Sequence, residues 1–360
     1  MRVHGVPRRT IALAADGWAV EIIDQRHLPH RFVVERVETA AQMTQAIRDM
    51  HVRGAPLIGV SAAYGVCLAL RADPSTASLL AACESIGCAR PTAVNLGWAL
   101  AEMKRALQNE ALSGPERVEL AYRRAAELCE ADVEACRALG EHGLGLLQRT
   151  TARGGRLRVL THCNAGWLAA VDWGTALAPI YAARRQGLDV EVWVEETRPR
   201  NQGLLTAWEL EQEGVPYRLI ADNAGGHLMQ RGEVDLCIVG TDRTTRNGDV
   251  ANKIGTYQKA LAARDCEVPF WVALPRSTFD ASLDDGRAIP IEERDAEELL
   301  TLTGLDQRGE LTAVRLAPPG TPAHNPAFDL TPARLVTGFV TELGLCSPPE
   351  LDGIYGGARA

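Results

Sequence analysis

Apolar and polar residues alternate from Thr10 to Val34 around Asp16-Gly17, a dipeptide that favours tight hairpin turns. The pattern predicts a hairpin of residues 11–14 and 18–23 and a further strand over 31–34. From Thr39 the spacing becomes helical. Helices are expected over 39–51, 57–70, 78–83, 93–108 and 114–147, with Pro56 at the first position of the second, where a missing N–H costs nothing. Past Gly154-Gly155 short β-rich runs alternate with helical ones. Strands are expected at 157–161, 190–194, 218–220, 236–239 and 270–274, and helices at 166–185, 203–213, 225–231 and 251–264. Such alternation predicts a parallel, doubly wound sheet. Residues 287–317 read as loop-rich with acidic helical pieces, and 332–344 as a last helix. The whole is an α/β chain: a mostly helical N-terminal domain with a small β-hairpin (1–153), a parallel-sheet C-terminal domain (154–346) and a loosely held Gly- and Pro-rich tail (347–360).

Composition narrows the classes. The 360 residues are 46% hydrophobic and 23% charged, which is ordinary globular composition. Net charge is −8 and no Lys/Arg run stands out, which disfavours a nucleic-acid groove or an anionic membrane surface as partner. The nine Cys form no C-x-x-C pair and the eight His no H-E-x-x-H. No signal peptide or 18-residue apolar run is read. The expectation is a reduced, cytoplasmic protein without a zinc site.

Candidate chemistry gathers at the carboxyl edge of the expected sheet, where parallel α/β proteins bind ligands. The run Val159-Leu160-Thr161-His162-Cys163-Asn164-Ala165-Gly166-Trp167 leaves a strand and enters an expected helix. Cys163 then sits before a helix N-terminus, where the dipole lowers a thiol's pKa. It is a candidate catalytic residue; the alternative is one more small buried apolar side chain. Arg53-Gly54-Ala55-Pro56 opens a helix with free N–H groups beside a cation, either an anion site or a plain cap. Arg90 offers a second phosphate clamp or a surface charge. Asp242 comes straight off an apolar strand, where partial desolvation raises a carboxyl pKa and suits it to acid–base work; the alternative is a helix cap or a pair with Arg243. Lys253 is placed at a helix start, against the dipole, where a phosphate ligand gives it a reason to be. A thiol, a carboxyl and several anion binders around one edge read as an enzyme on a small phosphorylated substrate. No G-x-G-x-x-G or Walker sequence points to a nucleotide cofactor.

A further set of runs spans nearly the whole chain in order: Ile23–Pro29, V-R-G-A-P at Val52–Pro56, R-P-T-A-V-N-L at Arg90–Leu96, H-C-N-A-G at His162–Gly166 and E-T-R-P at Glu196–Pro199. It continues through Gln202–Leu210, Asn247–Tyr257, S-T-F-D at Ser277–Asp280, I-P-I-E-E-R at Ile289–Arg294 and N-P-A-F-D at Asn325–Asp329. Together they resemble the methylthioribose-1-phosphate isomerase family of methionine salvage, which is related to the regulatory subunits of the exchange factor for translation initiation factor 2. The resemblance implies a helical N-terminal domain, a Rossmann-like C-terminal domain and a homodimer, with no metal or organic cofactor. It assigns catalysis to Cys163 and Asp242, and substrate binding to Arg53, Gly54, Ala55, Arg90, Gln202, Asn252 and Lys253. Glu195, Arg200-Asn201, Thr241 and Thr244-Thr245 depart from the family's usual residues and flank the site, so they bear on which sugar is used. The implied reaction converts 5-methylthioribose 1-phosphate to 5-methylthioribulose 1-phosphate. Alternatives are the same chemistry on 5-deoxyribose 1-phosphate or ribose 1,5-bisphosphate, or a non-catalytic regulatory subunit of the same fold.

Overall fold

A computed structural model describes residues 1–90, 93–152 and 155–356. The expected boundary at residues 153–154 lies outside the described residues. Strands Ile11–Leu13, Val20–Ile23 and Val34–Val37 form an antiparallel sheet, the third beginning where the expected strand ended. Helices Ala40–Arg48, Ala55–Ala72, Thr76–Gly87 and Val94–Leu107 follow. The helix Ala55–Ala72 is long and apolar enough, by length and composition, to cross a membrane, a run the sequence reading did not single out. It is 83% buried, as the central helix of a core that includes Met43, Ile47, Leu79, Leu100 and Met103.

The helix Gly114–Arg149 is 36 residues long, about 54 Å at 1.5 Å per residue. Its first half buries Ala121, Ala125 and Leu128 in that helical core. Its second half buries Leu139, Leu146 and Leu147 against Val159, Val192 and Ile238 of the large sheet. One rigid element therefore fixes the helical part relative to the sheet.

The large sheet has seven strands in the order Gly344–Cys346, Gly338–Thr341, Phe270–Ala273, Leu236–Val239, Leu157–Thr161, Val190–Glu195 and Tyr217–Ile220. All pairs are parallel except the outermost, between Gly338–Thr341 and Gly344–Cys346. Adjacent residues feed opposite faces: Val159 and Ile238 face one core, Leu160 and Val239 the other. The chain starts at Leu157–Thr161, builds outward through Val190–Glu195 and Tyr217–Ile220, then returns to build from the other side. The order thus reverses between Leu157–Thr161 and Leu236–Val239, the topological switch point where doubly wound sheets open a crevice.

Several local expectations are corrected. Residues 166–185 are not one helix: a single turn at Trp167–Ala169 and an irregular stretch precede the helix Ala178–Arg185. Residues 251–264 divide into strand Val250–Lys253 and helix Thr256–Asp265. The last expected helix is only a single turn at Ala333–Leu335, followed by the strand Gly338–Thr341, which pairs with Gly344–Cys346. Residues 287–317 include a hairpin of Thr301–Leu305 and Leu311–Arg315. Within the expected loose tail, Leu351–Gly356 is helical, with Leu351 and Tyr355 fully buried; residues 357–360 lie outside the described residues.

That burial makes the segment part of the cooperative core. Leu351→Ala is expected to lower the unfolding free energy by about 2–4 kcal/mol in urea titration. A loss under about 0.5 kcal/mol, typical of surface positions, would show that the segment docks without contributing.

Candidate active site

The crevice at the switch point is a cavity lined by Arg53, Gly54, Ala55, Arg90, Cys163, Gln202, Asp242, Asn252 and Lys253, all nine residues singled out from the sequence, together with His162, Asn164 and Phe328. Cys163 follows strand Leu157–Thr161 and Asp242 follows Leu236–Val239, the two strands that flank the reversal. Their meeting in one cavity is therefore a consequence of strand order.

Cys163 adopts a left-handed backbone, φ 66°, which a non-glycine residue rarely does. It is pinned on both sides. Its N–H donates to Thr197 Oγ1 at 2.8 Å, and its carbonyl accepts from Thr206 Oγ1 at 2.8 Å. Thr197 is also left-handed, and Asp222 accepts from the N–H groups of Thr197 and Arg198, each at 2.7 Å. The Glu196–Pro199 run thus acts as a mould for the thiol's backbone. No α-helix begins at Cys163, so the expected depression of its pKa is corrected. Burial pushes the thiol up from its ordinary value, and the nearby cations Arg53 and Lys253 oppose this without reversing it.

Burial likewise raises the Asp242 carboxyl, against the pull of Lys253, Arg90 and Arg53. Arg243, its neighbour in sequence, turns instead to Asp280 at 3.6 Å.

The candidate anion-binding groups come from three places. Gly54, at φ 92°, opens the helix Ala55–Ala72, whose first turn lacks a side-chain cap. A Cβ at Gly54 would meet the Ala169 carbonyl at 2.4 Å, so only glycine fits this approach. Arg53 is buried, and its guanidinium donates to Gln25 Oε1 and to Asn164 oxygens, all uncharged. Lys253 ends a strand rather than starting a helix, which corrects the expected placement. The reason is its antiparallel partner, Phe328–Thr331, with Lys253 opposite Phe328. Its ammonium lies over the Phe328 ring, 4.6 Å from the centroid. Among the described residues neither Arg53 nor Lys253 forms an ion pair, and burial lowers the pKa of both. Arg90 is paired with Glu292 at 3.4 Å. Its Nε and the Gln202 Oε1 are buried without a hydrogen-bond partner among the described residues.

Two further groups support the site; the sequence places His162 and Glu195 beside it, but assigns no role to them or to Glu209. His162 Nδ1 lies 2.7 Å from Glu195 Oε2, and its Nε2–H donates to the Ile254 carbonyl at 2.8 Å, holding the turn after Lys253. His162, Glu195 and Asp222 bring ligand-type atoms within 4.8 Å of one another, but Lys259 Nζ, 3.3 Å from Glu195, already supplies positive charge there. Glu209, fully buried, holds Asn164 and the backbone beyond it. In sequence both carboxylates resemble ordinary solvated acids; only their apolar surroundings distinguish them.

Residues 51–348 match the model of the initiation factor 2 subunit family. The chain belongs to that family. It is 57% identical to a methylthioribose-1-phosphate isomerase of Acidiphilium cryptum over 353 residues, 97% of this chain and 96% of that protein. Among solved structures, this family member is similar to the 5-methylthioribose 1-phosphate isomerase of Pyrococcus horikoshii, with TM-score 0.84, 38% identity and coverage of 97% and 96%. It is also similar to a protein described as the delta subunit of translation initiation factor eIF-2B from A. fulgidus, with TM-score 0.80, 38% identity and coverage of 97% and 100%.

The raised Asp242 pKa makes a signed prediction. Stability present below the ordinary value near 3.8 is lost as pH climbs through the raised value, because ionisation is harder in the fold than in the unfolded chain. Asp242→Asn has no such ionisation. Its unfolding temperature relative to the unaltered protein is expected to rise from about pH 4 to about pH 8 in scanning calorimetry. A flat difference would show that Asp242 titrates normally.

Proposed function

We propose that the chain is an isomerase that converts 5-methylthioribose 1-phosphate to 5-methylthioribulose 1-phosphate in methionine salvage. The observation that carries this reading is the pair of buried cations Arg53 and Lys253, without an ion pair among the described residues, facing a cavity that also holds the half-buried Cys163 thiol and Asp242 carboxyl. On the same reading the protein is a cytoplasmic homodimer, with a helical N-terminal domain over residues 1–153 and a Rossmann-like catalytic domain over 154–346. The strand order of the large sheet supports the second assignment.

The phosphate on O1 prevents a free aldehyde from forming, so the ring must open with the ester in place. Arg53, Lys253 and the N–H groups at the start of Ala55–Ala72 bind the phosphate. Gln202, whose side-chain oxygen lacks a donor among the described residues, accepts from a sugar hydroxyl. Asp242, whose proton affinity burial raises, donates a proton to the ring oxygen and leaves C1 electron-poor. Hydrogen then moves from C2 to C1 while the 2-hydroxyl loses a proton. That proton balances the one given to the ring oxygen.

Two routes move the hydrogen: a direct hydride shift, or removal of the C2 proton by Cys163 as thiolate through an enolate. The raised thiol pKa favours the first, with the neutral thiol covering the reacting face against water. Phosphate bound to Arg53 and Lys253 strengthens that preference, because it cancels the cations that help the thiolate.

The 5-substituent is attached one carbon beyond the ring carbon that bears the ring oxygen, so it lies close to Asp242. Asp242 and Arg90 also line a small recess formed by Ile58, Ala93, Ile289, Pro290, Ile291 and Phe328. An apolar 5-substituent suits that lining. A 5-phosphate does not: Arg90 is its one cation among the described residues and is already paired, and Arg200 is tied to Glu298 at 2.9 Å in the adjoining chamber. The 5-deoxy sugar fits but fills less of the recess, which discriminates only weakly against a smaller apolar group.

Turnover of 5-methylthioribose 1-phosphate is expected to exceed that of ribose 1,5-bisphosphate. Cys163→Ala and Asp242→Asn are each expected to lower kcat about a hundredfold or more. No turnover of any 5-substituted ribose 1-phosphate would overturn the reading and favour a regulatory subunit. With substrate deuterated at C2, the label is expected at C1 of the ketose. Its loss to solvent would assign the proton transfer to Cys163.

A further inference from the structure

Arg53 is gripped by neutral oxygens. Its Nε donates to Gln25 Oε1 at 3.2 Å, Nη1 and Nη2 donate to the Asn164 carbonyl at 3.3 and 3.2 Å, and Nη2 also donates to Asn164 Oδ1. The Asn164 amide is fixed from behind. Its Nδ2 donates to Glu209 Oε1 at 2.8 Å and to Thr206 Oγ1 at 3.1 Å. Glu209, on the helix Gln202–Gln212, is 0% exposed. Besides Asn164 it accepts from the N–H groups of Leu168 at 3.0 Å and Trp167 at 2.8 Å, and from the Tyr181 hydroxyl at 2.6 Å. A Cβ on Gly166 would come within 1.8 Å of Glu209 Oε2, so the backbone is moulded onto this carboxylate. The order is carboxylate, amide, guanidinium.

We propose that Glu209, acting through Asn164, is the positioning residue that aims Arg53 and balances its charge while leaving that charge free for the substrate phosphate. A carboxylate placed directly on Arg53 would form a strong charge-assisted pair, and an incoming phosphate would have to displace it. With no carboxylate nearby, the buried guanidinium would bear its full desolvation cost. One interposed amide avoids both outcomes. It passes the attraction of Glu209 through a fixed dipole and turns its own oxygen toward Arg53. The inference rests on the phosphate-site reading above.

The test moves the charge by one position. Asn164→Asp combined with Glu209→Gln keeps the net charge and a donor–acceptor link between the two sites, but sets the carboxylate against Arg53. KM for 5-methylthioribose 1-phosphate and Kd for inorganic phosphate, by calorimetry, are both expected to rise about tenfold or more, with the loss falling mainly on KM rather than kcat. Glu209→Gln alone is isosteric. It removes the negative charge and turns one of the two acceptor oxygens into an NH2 that faces a backbone N–H, and is expected to raise the phosphate Kd at least about threefold. Circular dichroism and thermal melts establish that each variant is folded. Unchanged phosphate binding in folded Glu209→Gln or in the folded double variant, or a loss in kcat with KM and Kd unmoved, would overturn the proposal. Phosphate binding needs no turnover. A protein that binds phosphate through this relay yet isomerises no sugar would overturn the isomerase reading and leave this one standing.

Discussion

The site is built around the cost of keeping Arg53 and Lys253 charged away from water. Removing a cation from water costs several kcal/mol even after the protein relaxes, and burial lowers the pKa of both here. The usual remedy, a contacting carboxylate, is not used for either among the described residues. The protein substitutes weaker partners: amide and carbonyl oxygens around Arg53, and the face of Phe328 beneath Lys253. These offset part of the cost without consuming the charge. The same field acts on Cys163 and Asp242, whose raised pKa values would be higher still without it. Thiol, carboxyl and cations therefore form one electrostatic unit, in which binding an anion changes the proton affinity of the other two groups.

Backbone topology brings the unit together. The thiol and the carboxyl are 79 residues apart in sequence, by their numbering, yet each stands just past one of two adjacent parallel strands. The cations arrive from the helical part through Arg53 and from the antiparallel pair Val250–Lys253 and Phe328–Thr331 through Lys253. The helix Gly114–Arg149 holds these parts in register because its two halves are buried in two different cores. A shift along that helix would separate Arg53 from Asn164, which hydrogen-bond across 111 positions of sequence.

This division explains what could be read from the chain alone. The strands of the parallel sheet were legible because each is a short apolar run between helical stretches, and they carried Cys163 and Asp242 to the correct edge. Gly338–Thr341 was misread as helix because a four-residue run buried on both faces has no distinguishing period. Lys253 was misplaced because the strand that pairs with it lies about 75 residues downstream. The direction of the Cys163 shift was misjudged because a helix dipole was assumed where a pinned left-handed turn stands, and burial then dominates. Glu209 gave no local signal. It shares a helix with Glu211, and only tertiary packing shows that one carboxylate is buried and the other is not.

A fold shared at TM-score 0.84 with an isomerase and 0.80 with a protein described as an initiation-factor subunit cannot by itself separate catalysis from regulation. The side chains can. A regulatory subunit has no use for a thiol, a carboxyl of raised pKa and two cations without an ion pair among the described residues, all turned into one cavity, and the buried cations and the carboxyl weaken the fold that carries them. Groups that destabilise a fold persist where they perform chemistry, as strained and unpaired groups do at active sites generally. Here they converge at the one place where the strand order opens a crevice, and the backbone around them, from the turn at Cys163 to the close approach at Gly54, is shaped to hold them there.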